Sequence, residues 1–160
     1  MIKSMTFMNY TEVKLTIEDL FTAAHAGVLR RLSAIANNRK HIFGDGPEDL
    51  WGNDIESCIA EMLVSRSFNV SWRPYAADPN VIKADVGDNI QVRSTKRKDG
   101  CLIMHKKDKD DQYFVLVTGS GLNMKIKGWI KCADGKKQKF WRDNVPNPAY
   151  FVPQSELITP

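Results

Sequence analysis

Apolar side chains recur at helical spacing near the start of the chain. Ile17, Leu20, Phe21, Ala24, Val28, Leu29, Leu32 and Ile35 follow a 3.6-residue repeat. This predicts a helix over 17–37, with Thr16 as N-cap and Asp19 at the reciprocal position of a capping box. Arg30 and Arg31, with Arg39 near the end, are expected on its solvent side. There they would either favour the helix C-terminus or touch a DNA backbone. A second helix is expected over 54–67, capped by Asn53, with Glu56 closing a capping box. Its core face would be Ile55, Ile59, Met62 and Leu63. Ser57, Glu61 and Ser65 stand four apart on a narrow polar stripe. The rest of that helix is apolar on most sides, so it should be buried, and a buried carboxylate needs a partner.

The pattern then changes from helical to alternating. Short strands are expected over 68–72, 81–85, 90–95, 101–104, 113–118 and 124–130, with Gly128 at a bulge. Tyr113 to Thr118, YFVLVT, has the content of a buried central strand. Residues 38–53 and 73–80 are rich in turn formers and read as loops. His41, Phe43 and Trp51 would pack the first loop or present it to a ligand. KKDKDD at 106–111 reads as a solvated turn. Lys136, Lys137 and Lys139 precede a short element at Phe140-Trp141, and Tyr150-Phe151-Val152 docks the end of the chain. Residues 1–15 are expected to be a frayed start or an edge strand over 12–15. Two helices followed by many strands indicate an α+β domain with a central mixed, twisted sheet.

A chain of 160 residues fits one domain, 1–160, with its own core. The 42% apolar and 26% charged contents are those of an ordinary globular protein, and the net charge of +4 permits a nucleic-acid partner without demanding one. Cys58, Cys101 and Cys132 have no familiar spacing, which favours a reducing compartment. Cys101 and His105 have no second pair to complete a zinc site. His25 and His41 belong to no nucleophile constellation. The start shows no secretory segment and no apolar run reaches membrane-span length, so a cytoplasmic protein is expected.

Chemistry concentrates around one predicted hairpin. Asp85 ends the strand 81–85, the turn Val86-Gly87-Asp88-Asn89 follows, and the strand 90–95 returns. Alternation sets Gln91 and Arg93 on one face and Ile90 and Val92 on the other. A carboxylate, an amide oxygen and a guanidinium would then meet beside the hairpin, able to hold a divalent cation and a phosphate. The basic turn Lys96, Arg97 and Lys98 comes next and would contact phosphates without reading sequence.

An acid, a short hairpin and then [acid or amide]-x-[Lys/Arg] resembles the PD-(D/E)XK nuclease superfamily, with its restriction-endonuclease-like core. More narrowly, the chain resembles small phage and prophage proteins. The pieces are Ala60-Glu61, Trp72, Asp85-Val86-Gly87, Gln91-Val92-Arg93, Gly128-Trp129-Ile130 and Tyr150 to Gln154, over a core of 52–157. The resemblance implies a DNA nuclease using Mg²⁺ or Mn²⁺. Asp85 would be the central ligand, Gln91 an amide ligand and Arg93 a phosphate clamp. The helix carboxylate would be Glu61, or alternatively Glu56. Gln91 stands where a carboxylate is usual and Arg93 where lysine is usual. Arginine clamps phosphate but cannot serve as a base. The alternative is therefore a catalytically weak or inactive nuclease-fold module that binds DNA. DNA is the expected partner, with a homodimer or a phage or host protein also open.

Overall fold

The computed structural model describes residues 9–39, 49–74 and 84–160. Helix α1 (Ile17–Ala36) starts where the sequence predicts, and both halves of its capping box form: Thr16 Oγ1 accepts from the Asp19 N–H and Asp19 Oδ2 from the Thr16 N–H. Helix α2 (Leu50–Phe68) starts four residues earlier than its expected first residue. Its N-cap is Asp49, whose Oδ1 accepts from the Gly52 N–H at 2.9 Å. Aspartate caps as well as asparagine, so the earlier of two good caps wins and Asn53 lies inside the helix. Asn69 ends α2 in the left-handed conformation. The start of the expected strand 68–72 is thereby absorbed into the helix and its cap. The expected edge strand over 12–15 does not form. Instead the Thr11 N–H donates to Ser67 O, and Tyr10 packs its ring against Phe68 and Trp129.

The strands divide between two sheets. In the first, β1 (Ile90–Thr95) pairs parallel with β3 (Tyr113–Thr118), which pairs antiparallel with β4 (Lys125–Lys131). In the second, β2 (Leu102–Met104), β6 (Ala149–Val152) and β5 (Trp141–Arg142) run antiparallel in that spatial order. A short helix α3 (Cys132–Gly135) leads out of β4. The α+β class holds, and the mixed sheet has three strands, because β2 pairs with the end of the chain instead. The connection from β1 to its parallel partner β3 thus runs through a strand of the other sheet.

The mixed sheet is the middle layer. Val115 and Val117 of β3 join the α1/α2 core, whereas Phe114 and Leu116 join Leu102, Met104, Phe140 and Val152 beneath the second sheet. Strand β3 is therefore central and buried on both faces, as its composition requires. At Gly128 the ladder shifts register, with Leu116 opposite Gly128 and Val117 opposite Ile126. Gly128 has φ +151°, and a Cβ there would stand 2.5 Å from Ile158 O. Only glycine lets the Ile158 backbone pair with Trp129 from beside the bulge. Among the described residues no helix is long and apolar enough to cross a membrane.

Candidate functional site

The site grows from α2, the most buried helix. Every residue from Cys58 to Val64 is buried, so Glu61 is carried into the interior with its neighbours. Its two oxygens are matched by the fork of Arg30 on α1, at 2.8 and 3.0 Å, and Oε2 also accepts from Trp72 Nε1 at 2.9 Å. A buried carboxylate with three charge-assisted or indole donors is fully compensated. The eleven-residue interval from Glu61 to Trp72 is the sequence trace of that last bond. Trp72 is itself placed by a bridge to Val86, and Val86 by a bridge to Ile90. These bridges hold Asp85, the residue just before Val86, where the charge of Glu61 acts on it.

Asp85 lies against the outer edge of β1, which pairs only with β3 within its sheet. Its Oδ2 accepts from the Val92 N–H at 2.8 Å, and Arg93 Nη1 stands 3.8 Å away. Burial first, and then the negative charge of Glu61, push the Asp85 carboxyl up to about 6; the Val92 N–H, Arg93 and Arg30 pull the other way. Two carboxylates and two guanidiniums thus form one electrostatic unit. The Cys58 thiol beside it is pushed up to about 12, chiefly by burial, and is inert.

Arg93 continues the unit outward. Its Nη2 is 3.6 Å from Asp108 Oδ2 and its Cζ lies 4.8 Å from the centre of the Phe114 ring. Asp108 also accepts from the His105 N–H at 2.8 Å. Burial lowers the His105 imidazole, with Arg93 and Lys107 acting the same way and Asp108 opposing them. Arg93, His105, Lys107 and Asp108 line a cleft of about 710 Å³ whose far walls include Ser57 and Phe151. A second hollow of about 310 Å³ shares Arg93 and Phe151 with it and extends to Arg97 and Arg142. A basic path therefore leads from Arg93 to the turn at Lys96, Arg97 and Lys98, all three of which are exposed.

No family model matches the chain, and neither does any curated protein or solved structure.

Of the residues expected at the site, Asp85, Glu61 and Arg93 come together. Glu56 does not join them. It accepts from the Gly121 N–H at 3.1 Å and from the Ser120 hydroxyl, tying α2 to the β3–β4 turn. With Asp49 as the cap, Glu56 also has no capping-box duty. Alternation sets Gln91 with Arg93 on the Phe114 side of β1, whereas α2 packs on the side of Ile90 and Val92. Arg30 and Arg31 are not the exposed cations expected on α1. Arg30 is bound to Glu61, and Arg31 is buried with Nε 3.4 Å from Asp54 Oδ2. The reason is that α1 turns its small residues Ala23, Ala26 and Gly27 inward, and both arginines follow them.

Residues 81–83, and His41 and Phe43 of the expected loop, lie outside the described residues. The turn over 106–111 is more than solvated charge: Asp108 is mostly buried beside Arg93, and Lys136 Nζ bonds Lys106 O, the Asp108 carbonyl and Asp110 Oδ1. The one signal for Asp108 was its position three residues after His105, the spacing of a side-chain-capped turn. Among the described residues no three His, Cys, Asp or Glu side chains are grouped to hold a metal ion. The oxygen donors of Asp85 and Glu61 are nevertheless of the type that Mg²⁺ or Mn²⁺ takes, although those of Glu61 are already bonded to Arg30 and Trp72.

Proposed function

We propose that the chain is a divalent-cation-dependent phosphodiesterase acting on DNA, built on a restriction-endonuclease-like core. One observation supports this above others. A helix carboxylate, Glu61, lies close enough to Asp85 at the open edge of β1 to act on its charge, and Arg93, 3.8 Å from Asp85, also lines the cleft. The order of parts favours the same reading: helix with glutamate, Trp72–Val86 bridge, aspartate, hairpin, then β1 with a parallel partner. Asp85 and Glu61 would hold Mg²⁺ or Mn²⁺, and the Gln91 amide, expected as a further ligand, stands on the opposite face of β1 from α2. The bound ion would supply Lewis acidity at a phosphoryl oxygen. Arg93 would clamp a non-bridging phosphate oxygen pair, and its permanent charge would stabilise the pentavalent arrangement. Lys96, Arg97 and Lys98 would hold the flanking backbone.

A second reading is favoured by a specific feature. Arg30 already takes both oxygens of Glu61, which leaves Asp85 as the carboxylate with the weaker claim on it. On that reading the chain binds DNA through the basic path and cleaves nothing. Purified protein is incubated with linear and plasmid DNA in Mn²⁺, beside Asp85→Ala. Cleavage that Asp85→Ala abolishes supports the nuclease. DNA binding that is unchanged in Asp85→Ala, with no cleavage by either protein, supports the binding module. Cleavage that survives Asp85→Ala places the chemistry elsewhere.

A further inference from the structure

Helix α1 is inside out. Its buried residues are Asp19, Ala23, Ala26, Gly27 and Arg31; Leu20 packs partly against the core, and five of its large apolar residues face away from it. Ile17 and Phe21 are each 66% exposed, Ile35 55%, Leu29 52% and Leu32 49%. The Phe21 ring rests edge-on against His25 of its own helix, with centroids 4.4 Å apart. The face toward α2 is committed: a Cβ on Gly27 would stand 2.5 Å from Ile55 Cα, and Asp19 and Arg31 are paired to Arg66 and Asp54. The outer stripe cannot rotate inward without breaking all of these.

We infer that the outer stripe of α1 is a self-association surface, on which two copies of the chain pair antiparallel about a two-fold axis at Val28.

Area is the first argument. The five side chains are each about half to two-thirds exposed and together present on the order of 500 Å² per copy. That is already near the limit of what a monomer leaves in one patch. Half-buried Ala24 and Val28, with exposed His25 between them, extend it toward the ~800 Å² per partner of a stable pair. Self-complementarity is the second. Phe21, Val28 and Ile35 recur at intervals of seven, the spacing of a helix-pairing seam. Reversing the helix about Val28 sets Phe21 opposite Ile35 and small Ala24 opposite large Leu32, so every contact occurs twice, as a two-fold interface requires. Charge is the third. From Leu20 to Leu29 the helix carries no acid or strong base, and Arg30 and Arg31 point inward to Glu61 and Asp54. In the antiparallel pair, exposed Glu18 of one copy lies near exposed Arg39 of the other, opposite charges at both rims.

The full chain is tested by sedimentation over a wide concentration range, with Val28→Glu and Val28→Cys variants, the latter in a Cys101→Ser background because Cys58 and Cys132 are buried. The expected result is a species of twice the 18.2 kDa chain mass. Val28→Glu should return it to monomer with an unchanged circular-dichroism spectrum. Val28→Cys should link to its own copy through a short bis-maleimide, whereas Ser33→Cys on the polar side should not. A monomer at every concentration overturns the inference. So does a dimer that survives Val28→Glu, or one in which Ser33→Cys links and Val28→Cys does not.

Discussion

Helices α1 and α2 are almost equal in length, 20 and 19 residues, and both are rich in apolar side chains. They bury themselves in opposite ways. Helix α2 lies between α1 and the mixed sheet and has an unbroken buried run from Cys58 to Val64. Each large side chain there contributes about 1.5–3 kcal/mol by leaving water. Helix α1 buries only a narrow stripe of small residues, and three ion pairs fasten it: Asp19 to Arg66, Arg30 to Glu61 and Arg31 to Asp54. One helix is held by area, the other by close approach and charge. A polar residue on the first is exceptional and so marks a site. Polar residues on the second are what dock it.

The sharpest way to break this contrast is at the close approach. Gly27→Leu drives a side chain into the Ile55 backbone, which cannot give way, and should cost about 3 kcal/mol or more in urea unfolding. Near-neutral behaviour would mean that α1 is not held by proximity. Next is the charge pair. Glu61→Ala leaves the Arg30 guanidinium and the Trp72 N–H without their acceptor, and removing one partner of a buried pair typically costs about 3–5 kcal/mol. Arg30 keeps 35% of its side chain exposed, so about 2–3 kcal/mol is expected. A double-mutant cycle with Arg30→Ala should show that the two losses do not add.

A smaller effect comes from pH. The Asp85 carboxyl titrates near 6 in the folded chain, above the ordinary carboxylate range, so the folded state holds this proton more tightly than the unfolded one. The stability this adds is full below about pH 4 and is lost as pH rises through 6. With 31% of the side chain exposed, the loss should be about 1–2 kcal/mol. It is measured as the difference between the wild type and Asp85→Asn unfolded across pH 4–7; parallel curves would remove the Glu61–Asp85 repulsion from the description. The smallest effect belongs to the outer stripe of α1. Phe21→Ser with Leu32→Ser should change unfolding free energy by no more than about 0.5 kcal/mol when measured dilute, where pairing of copies does not contribute. A larger loss would show that these side chains pack within their own chain.

The contrast also explains what could be foreseen. Local signals were legible: the Thr16–Asp19 capping box, the doubly buried β3, the Gly128 bulge and the need of a buried Glu61 for a partner, though not that Arg30 and Trp72 supply it. Each depends on a few neighbouring residues or on one face pattern. The inversion of α1 was not legible. Periodicity finds the apolar stripe of a helix but not whether its own chain covers it, and the deciding feature, room for a Cβ at Gly27, exists only once α2 is in place. The same holds for Arg30 and Arg31, which look like surface cations until their acidic partners, 31 and 23 residues later, fold against them. Asp108 was hidden inside a run of six charges, where composition pointed to solvent. The split into two sheets depended on β2 choosing the end of the chain over its sequence neighbours.

The three ion pairs along the α1–α2 seam also act as a vernier. Asp19 meets Arg66 near one end and Arg31 meets Asp54 near the other, so the helices run antiparallel, with Arg30 reaching Glu61 between. Sliding α1 by one turn would bring Ala26 or Ala34 to the place of Arg30 and strand the Glu61 charge in the interior. Apolar burial alone would penalise that slip only weakly, because the apolar part of the sliding face is the small residues Ala23, Ala26 and Gly27, and the contact of Gly27 with Ile55 is the other feature that opposes it. The charges therefore set the depth to which α1 is threaded, whatever they add to stability. Replacing Arg30 and Glu61 together by methionine should keep the unfolding midpoint while letting α1 amides appear as more than one set of NMR signals. A single set would assign the alignment to Gly27 and Ile55 alone.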